Sequence, residues 1–116
     1  MLVGIPKEIK NHEYRVGMTP VSVRELVRHG HRVMVETAAG HGINASDNDY
    51  EKAGALIATS AEEVFHQADM VVKVKEPQKN ERSMLRDDQI LFTYLHLAPD
   101  PDQTKDLVTS GCTAIA

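Results

Sequence analysis

The sequence predicts an α/β fold, a Rossmann-like parallel sheet flanked by helices. Two observations carry that expectation. Short stretches rich in Val and Ile recur along the chain and are apolar on both faces, as buried parallel strands are. Between them lie segments with helix start and stop signals, and strands alternating with helices build a parallel sheet with right-handed crossovers. A length of 116 residues supports one domain with one modest core.

Leu2–Ile5 is the first strand. In "TPVSVRELVRHGH", Thr19 is the N-cap and Pro20 the first helical residue. Val23, Leu26 and Val27 form one stripe, and Gly30 is the stop. Arg32–Glu36 is the second strand, followed by a helix around Asn48–Ala53 and a weaker strand at Ala55–Ala58. Ser60 and Glu63 have the spacing of a capping box before Val64. Asp69–Lys75 is the next strand. The polar "EPQKNER" reads as a surface turn leading into a short helix around Glu81–Leu85. Ile90–Leu95 follows, then a helix capped by Asp100, with Pro101 inside its start and Gly111 after its end. Thr113–Ala116 has the character of a last strand. A domain rarely finishes flush at a buried strand. The expectation is therefore a piece of a longer protein; an edge strand at a true terminus is the alternative.

Composition narrows the function classes. The apolar fraction of 41% and charged fraction of 26% describe a soluble globular chain. A net charge of -4 gives no electrostatic reason to expect nucleic acid or an acidic membrane surface. The six histidines are scattered, without metal-ligand spacing. The single cysteine, Cys112, excludes an internal disulfide and suits a reducing compartment. "MLVGIPKEIKN" is too short in its apolar part for a signal peptide, and no apolar run reaches transmembrane length. The expected location is cytoplasmic. "AGHG" at 39–42 follows a strand but lacks the three-glycine spacing and immediate helix of a dinucleotide loop, so it reads as a glycine-rich turn. No nicotinamide, flavin, nucleotide or metal site of the domain's own is visible.

In parallel sheets, ligands sit beyond the carboxyl ends of the strands. Three residues fall there: Arg15 between the first strand and the first helix, Lys75 ending "DMVVKVK", and His96 ending "ILFTYLH". Alternation puts Lys73 and Lys75 on one face, and Lys73 is expected to reach solvent along its aliphatic stem. Lys75, followed by Glu76 and Pro77, lies at the sheet rim, either as a site residue or as a surface lysine paired with Glu76. His96 is either a satisfied core histidine or a site histidine. His12, His29, His31 and His41 read as surface residues near turns, and His66 as an exposed helix residue. A guanidinium, an ammonium and an imidazole together suit a small anionic substrate with a proton to move.

"GIPKEIKNHEYRVGMTP", "GHRVMVETAAGHG", "VKVKEP" and "LFTYLHLA" resemble the N-terminal part of the alanine dehydrogenase / pyridine nucleotide transhydrogenase family over essentially all 116 residues. The "KVKEP" and "YLHLA" forms favour the dehydrogenase branch over the transhydrogenase alpha subunit. The third reading is a stand-alone interaction domain that keeps the fold without activity.

The resemblance implies that residues 1–116 are the N-terminal part of an incomplete catalytic (substrate) domain. For the whole protein it implies an oxidoreductase that interconverts L-alanine with pyruvate and ammonia, using NAD bound in a dinucleotide-binding domain absent from these residues. It implies that Arg15 clamps the substrate carboxylate, that Lys75 holds the carboxylate or carbonyl, and that His96 is the acid/base. For the full-length protein it implies a homo-oligomer, with a hexamer common in the family. The chain alone is expected to be inactive. It departs from the family at "GINASD" after the AG block, and at the two prolines of "APDPDQ".

Overall fold

A computed structural model describes all residues, Met1–Ala116. The elements are β1 (Leu2–Ile5), α1 (Pro20–Arg28), β2 (Arg32–Glu36), α2 (Asp47–Lys52), β3 (Leu56–Ala58), α3 (Ala61–Gln67), β4 (Met70–Val72), α4 (Lys79–Arg82), β5 (Ile90–Phe92), α5 (Pro101–Ser110) and β6 (Thr113–Ile115). All strand pairs are parallel, and the order is β3-β2-β1-β4-β5-β6. The chain builds outward from β1 to one side, crosses back, and builds outward from β4 to the other. That reversal is the topological switch of a doubly wound sheet.

The caps act as their residue types predict. Thr19 accepts from the Ser22 N–H, Ser46 and Asp49 form a reciprocal capping box, and Asp100 accepts from the Gln103 N–H. Gly111 ends α5 in the left-handed region. At α3 the expected box is only half formed. Ser60 accepts from the Glu63 N–H, but the Glu63 carboxylate turns to the N–H and hydroxyl of Thr59. The short helix lies two to three residues earlier than expected, capped by Gln78 with Glu81 closing the box.

The two faces of the sheet are covered unequally. On one face α3 and α5 close over Leu2, Met34, Val71 and Leu91, burying Val64, Phe65 and Leu107. On the other, α1 and α2 cover only the half built on Val3, Ile5, Val33 and Val35. The register sets Met70, Ile90 and Thr113 side by side on that second face, then Val72, Phe92 and Ile115, and exposure rises towards β6. All three residues of β6 are exposed, so the last strand is an uncovered edge rather than a core strand.

Two strands are shorter than the sequence suggests. Pairing stops at Val72 in β4 and at Phe92 in β5, well before Lys75 and Leu95. Beyond those points other contacts take up the backbone groups. "EPQKNER" is not a simple surface turn either, because Glu76, Pro77 and Glu81 are buried. His31 is half-buried rather than a surface residue, and its Nδ1 is buried without a partner.

Neighbouring residues on opposite faces give a direct test of this asymmetry. Leu91→Ala should cost about 2–5 kcal/mol, since Leu91 is fully buried. Phe92→Ser should cost about 1 kcal/mol or less, because Phe92 is already 47% exposed. Urea unfolding midpoints compare them, and equal losses would contradict the one-sided packing.

Candidate active site

The loop of residues 6–19 leaves the carboxyl end of β1, next to the segment that leaves β4. Glu8 lies in the first of these and Lys73, Val74 and Lys75 in the second. Both Glu8 oxygens accept backbone N–H bonds, from Val74 at 3.0 Å and from Lys75 at 3.0 Å. Lys73 Nζ donates to Glu8 Oε1 at 3.0 Å and to the Lys75 carbonyl at 3.1 Å, and lies 3.5 Å from Glu81. The Lys73, Glu8 and Glu81 side chains are each 1% exposed. Lys73 is therefore not a solvated lysine. Alternation across a strand ceases to apply once the strand has ended at Val72. Burial pushes the Glu81 carboxyl above its ordinary range, against the opposing pull of Lys73.

The remaining backbone groups of this segment are also held. Thr93 Oγ1 lies 3.0 Å from the Val74 carbonyl and 2.9 Å from that of Lys75, donating between them. The Tyr94 N–H also reaches the Val74 carbonyl. Lys75 Nζ itself has no hydrogen bond or ion pair within the domain. It is half-buried and acts through space on Glu13.

Arg15 is gripped along one edge. Its Nε donates to Glu13 Oε2 at 2.9 Å and its Nη2 to Oε1 at 2.7 Å, while Nη1 is left without a partner. The Arg15 side chain is 62% exposed and that of Glu13 only 5%. The Arg15 hydrogen bond outweighs burial and brings the Glu13 carboxyl down to about 2.

Two close approaches fix this loop. A Cβ on Gly17 would lie 2.5 Å from the Val72 carbonyl oxygen, so only glycine lets the loop cross the end of β4 there. A Cβ on Gly42 would lie 2.1 Å from the Tyr14 carbonyl oxygen. The "AGHG" turn thus packs against the backbone beside Arg15. Tyr50 ties down the far end, its buried hydroxyl donating to the Met18 carbonyl at 2.7 Å and its pKa pushed up by burial to about 12.

A cleft of about 570 Å³ opens between this loop and the ends of β4 and β5, lined by Arg15, Gly17, Val72, Lys73, Thr93 and Tyr94 among others. Neither Lys75 nor His96 lines it; both lie farther along the same rim. His96 is exposed, four residues past the end of β5, with φ of +52°. A core role is thereby excluded. A non-glycine residue held in the left-handed region is locally strained. His96 acts through space on Glu76. Burial raises the Glu76 carboxyl, but its bond to Lys10, its backbone N–H and the Lys10 and His96 charges carry it below the ordinary range. Glu8, Thr93 and Glu81 were not apparent as site residues from sequence, because no spacing rule links residue 8 with residue 73.

Fold and rim together define a Rossmann-like α/β domain with a network of paired charges at its topological switch point. The chain belongs to the family described as alanine dehydrogenase/PNT, N-terminal domain, which matches residues 4–116. It is 52% identical over all 116 residues to the alanine dehydrogenase of Methanococcus maripaludis, spanning 31% of that protein. A solved L-alanine dehydrogenase superposes over the whole chain with a TM-score of 0.97 and 52% identity, the match covering 32% of that chain. A transhydrogenase structure from Sinorhizobium meliloti gives 0.94 at 31% identity, covering 34% of that chain. The chain thus spans about a third of the length of the relatives it matches. No helix is long and apolar enough to cross a membrane.

The Arg15–Glu13 pair is open to titration. Arg15→Gln should return the Glu13 carboxyl from about 2 towards the ordinary value of about 4. The sign follows from the depressed value: the pair stabilises the fold above the ordinary carboxylate range, and that contribution fades as pH falls through about 2. Side-chain carboxyl NMR reads the shift, and an unmoved Glu13 titration would refute the pairing.

Proposed function

We propose that this domain forms the substrate wall of an NAD-dependent alanine dehydrogenase, in which L-alanine, water and NAD+ become pyruvate, ammonium, NADH and a proton. The observation that carries the reading is how the rim distributes its charges. Lys10 is committed to Glu76, and Lys73 to Glu8 and Glu81. Lys75 Nζ, the His96 ring and the Nη1 edge of Arg15 remain free for a ligand. The greater identity to alanine dehydrogenases than to the transhydrogenase supports this branch of the family.

The chemistry of a 2-oxo acid suits these groups. Arg15 presents planar N–H donors to the substrate carboxylate. Lys75 places a positive charge beside the C2 oxygen, where negative charge develops as the carbonyl is attacked. Imidazole changes protonation near neutral pH, and His96 would exchange a proton with the C2 hydroxyl of the carbinolamine. In deamination it takes that proton as the C–N bond breaks, leaving pyruvate and ammonia.

The domain's own residues do not fit a dinucleotide. The strand-to-helix turn that would hold a pyrophosphate is here the long loop after β1, which carries the buried Glu8 carboxylate, and α1 begins only at Pro20. Hydride chemistry therefore belongs to residues outside this domain.

The test joins these 116 residues to the remainder of the M. maripaludis alanine dehydrogenase, in place of the segment they match. The chimera should aminate pyruvate with NADH, and His96→Gln should lower turnover roughly 10²–10⁴-fold and remove one limb of the pH profile. Unchanged turnover in that variant would sink the catalytic role. The 116 residues by themselves should neither bind NAD nor turn over alanine, and an ordinary rate would overturn that part of the reading.

A further inference from the structure

We infer that Glu8 and Lys73 are positioning residues for Lys75, a role that rests on the function proposed above. Four backbone groups surround the point where the Lys75 side chain leaves the backbone: the N–H and C=O of Val74 and of Lys75. They lie past the ladder, which ended at Val72, and only the Val74 carbonyl has a backbone partner, the Tyr94 N–H. All four are held from outside the segment or by Lys73. The Glu8 carboxylate takes both N–H groups at 3.0 Å, and Thr93 takes both carbonyls. Lys73 closes the ring by bridging Glu8 Oε1 and the Lys75 carbonyl. The direction in which Lys75 leaves the backbone is therefore fixed by a carboxylate from the far side of the switch point.

The chemistry of the clamp needs a carboxylate. One group must accept from two adjacent N–H groups and from an ammonium, all in a site almost closed to water. A glutamine would accept one of the N–H bonds and turn its own NH2 against another donor. Lys73 supplies the countercharge that makes a buried Glu8 tolerable. Lys73 and Lys75 are two residues apart and have opposite fates. The first is consumed in holding the backbone, and the second is thereby presented free at the rim.

The test uses the active chimera with four variants. Lys75→Met is the reference and should abolish turnover. Retained turnover there would dismiss the proposed function, while hydrogen exchange would still report on the clamp. Glu8→Gln should speed exchange at Val74 or Lys75 about tenfold, with no change at Val71 or Leu91. It should also lower kcat between about ten- and a hundredfold while leaving the KM for NADH unmoved. Lys73→Met should strand the Glu8 charge and lower the melting temperature. The double variant Glu8→Gln/Lys73→Met replaces the buried ion pair with neutral groups and should recover the melting temperature but not kcat. Recovery of kcat together with stability would show a merely structural pair and overturn the inference. Unchanged exchange at both amides in Glu8→Gln would overturn it as well.

Discussion

The interaction on which the rest depends is the buried contact between Glu8 and the end of β4. Burying a lysine and a carboxylate at 1% exposure removes two ions from water, at a desolvation cost of several kcal/mol each. Such a pair survives only where other hydrogen bonds offset that cost. Glu8 accepts from two N–H groups as well as from Lys73, and Lys73 donates in addition to a carbonyl. Glu81 stands close by, with burial holding its carboxyl up towards the neutral form. Removing any single member would leave a charge or a pair of amides stranded, so the three elements after β1, after β4 and at α4 are locked as a unit.

That lock explains why the loop after β1 can be long without a helix of its own. A segment of this length on the surface would ordinarily be mobile. Here it is pinned at Glu8, pressed onto the Val72 carbonyl at Gly17, and tied through the Met18 carbonyl to the buried Tyr50 hydroxyl. Arg15 sits between the last two pins and Glu8, with its guanidinium plane set by Glu13. A bidentate donor is useful only when its plane is fixed beforehand, because freezing it at the moment of binding would cost side-chain entropy.

Local rules carried much of the fold. Caps at Thr19, Ser60 and Asp100, and the stops at Gly30 and Gly111, are written in residues adjacent to the elements they bound. The alternation of strand and helix gave the parallel sheet, though not its order, since nothing local says that β4 returns to β1 rather than to β3. The misreadings share one physical source. The apolar run overstates strand length, because pairing stops where tertiary groups compete for the backbone: Glu8 at Val74 and Lys75, and Thr93 at their carbonyls. Period-two alternation sends Lys73 to solvent only if it is carried beyond the strand's end. Its partner Glu8 is 65 residues away, and no sequence pattern spans that gap. His96 was placed at a strand tip and lies beyond it, in a left-handed conformation that periodicity does not register.

The charge count at the rim bears on what such a surface can bind. Three of its cations are paired, Lys10 with Glu76, Arg15 with Glu13 and Lys73 with Glu8, whereas Lys75 has no carboxylate partner. Glu13 is held ionised at about 2 and Glu76 below the ordinary range, so both stay negative at any pH where the protein works. Those three cations are thus matched, and the positive charge of Lys75 is left unpaired. An incoming carboxylate needs a net positive charge as well as donors, and the rim provides them separately: donors at the outer edge of Arg15, charge at Lys75. Had Lys73 been the free lysine, the uncompensated charge would lie 1% exposed and out of a ligand's reach. The bend after Val72 decides which of the two lysines meets the ligand, and the bend is held by Glu8.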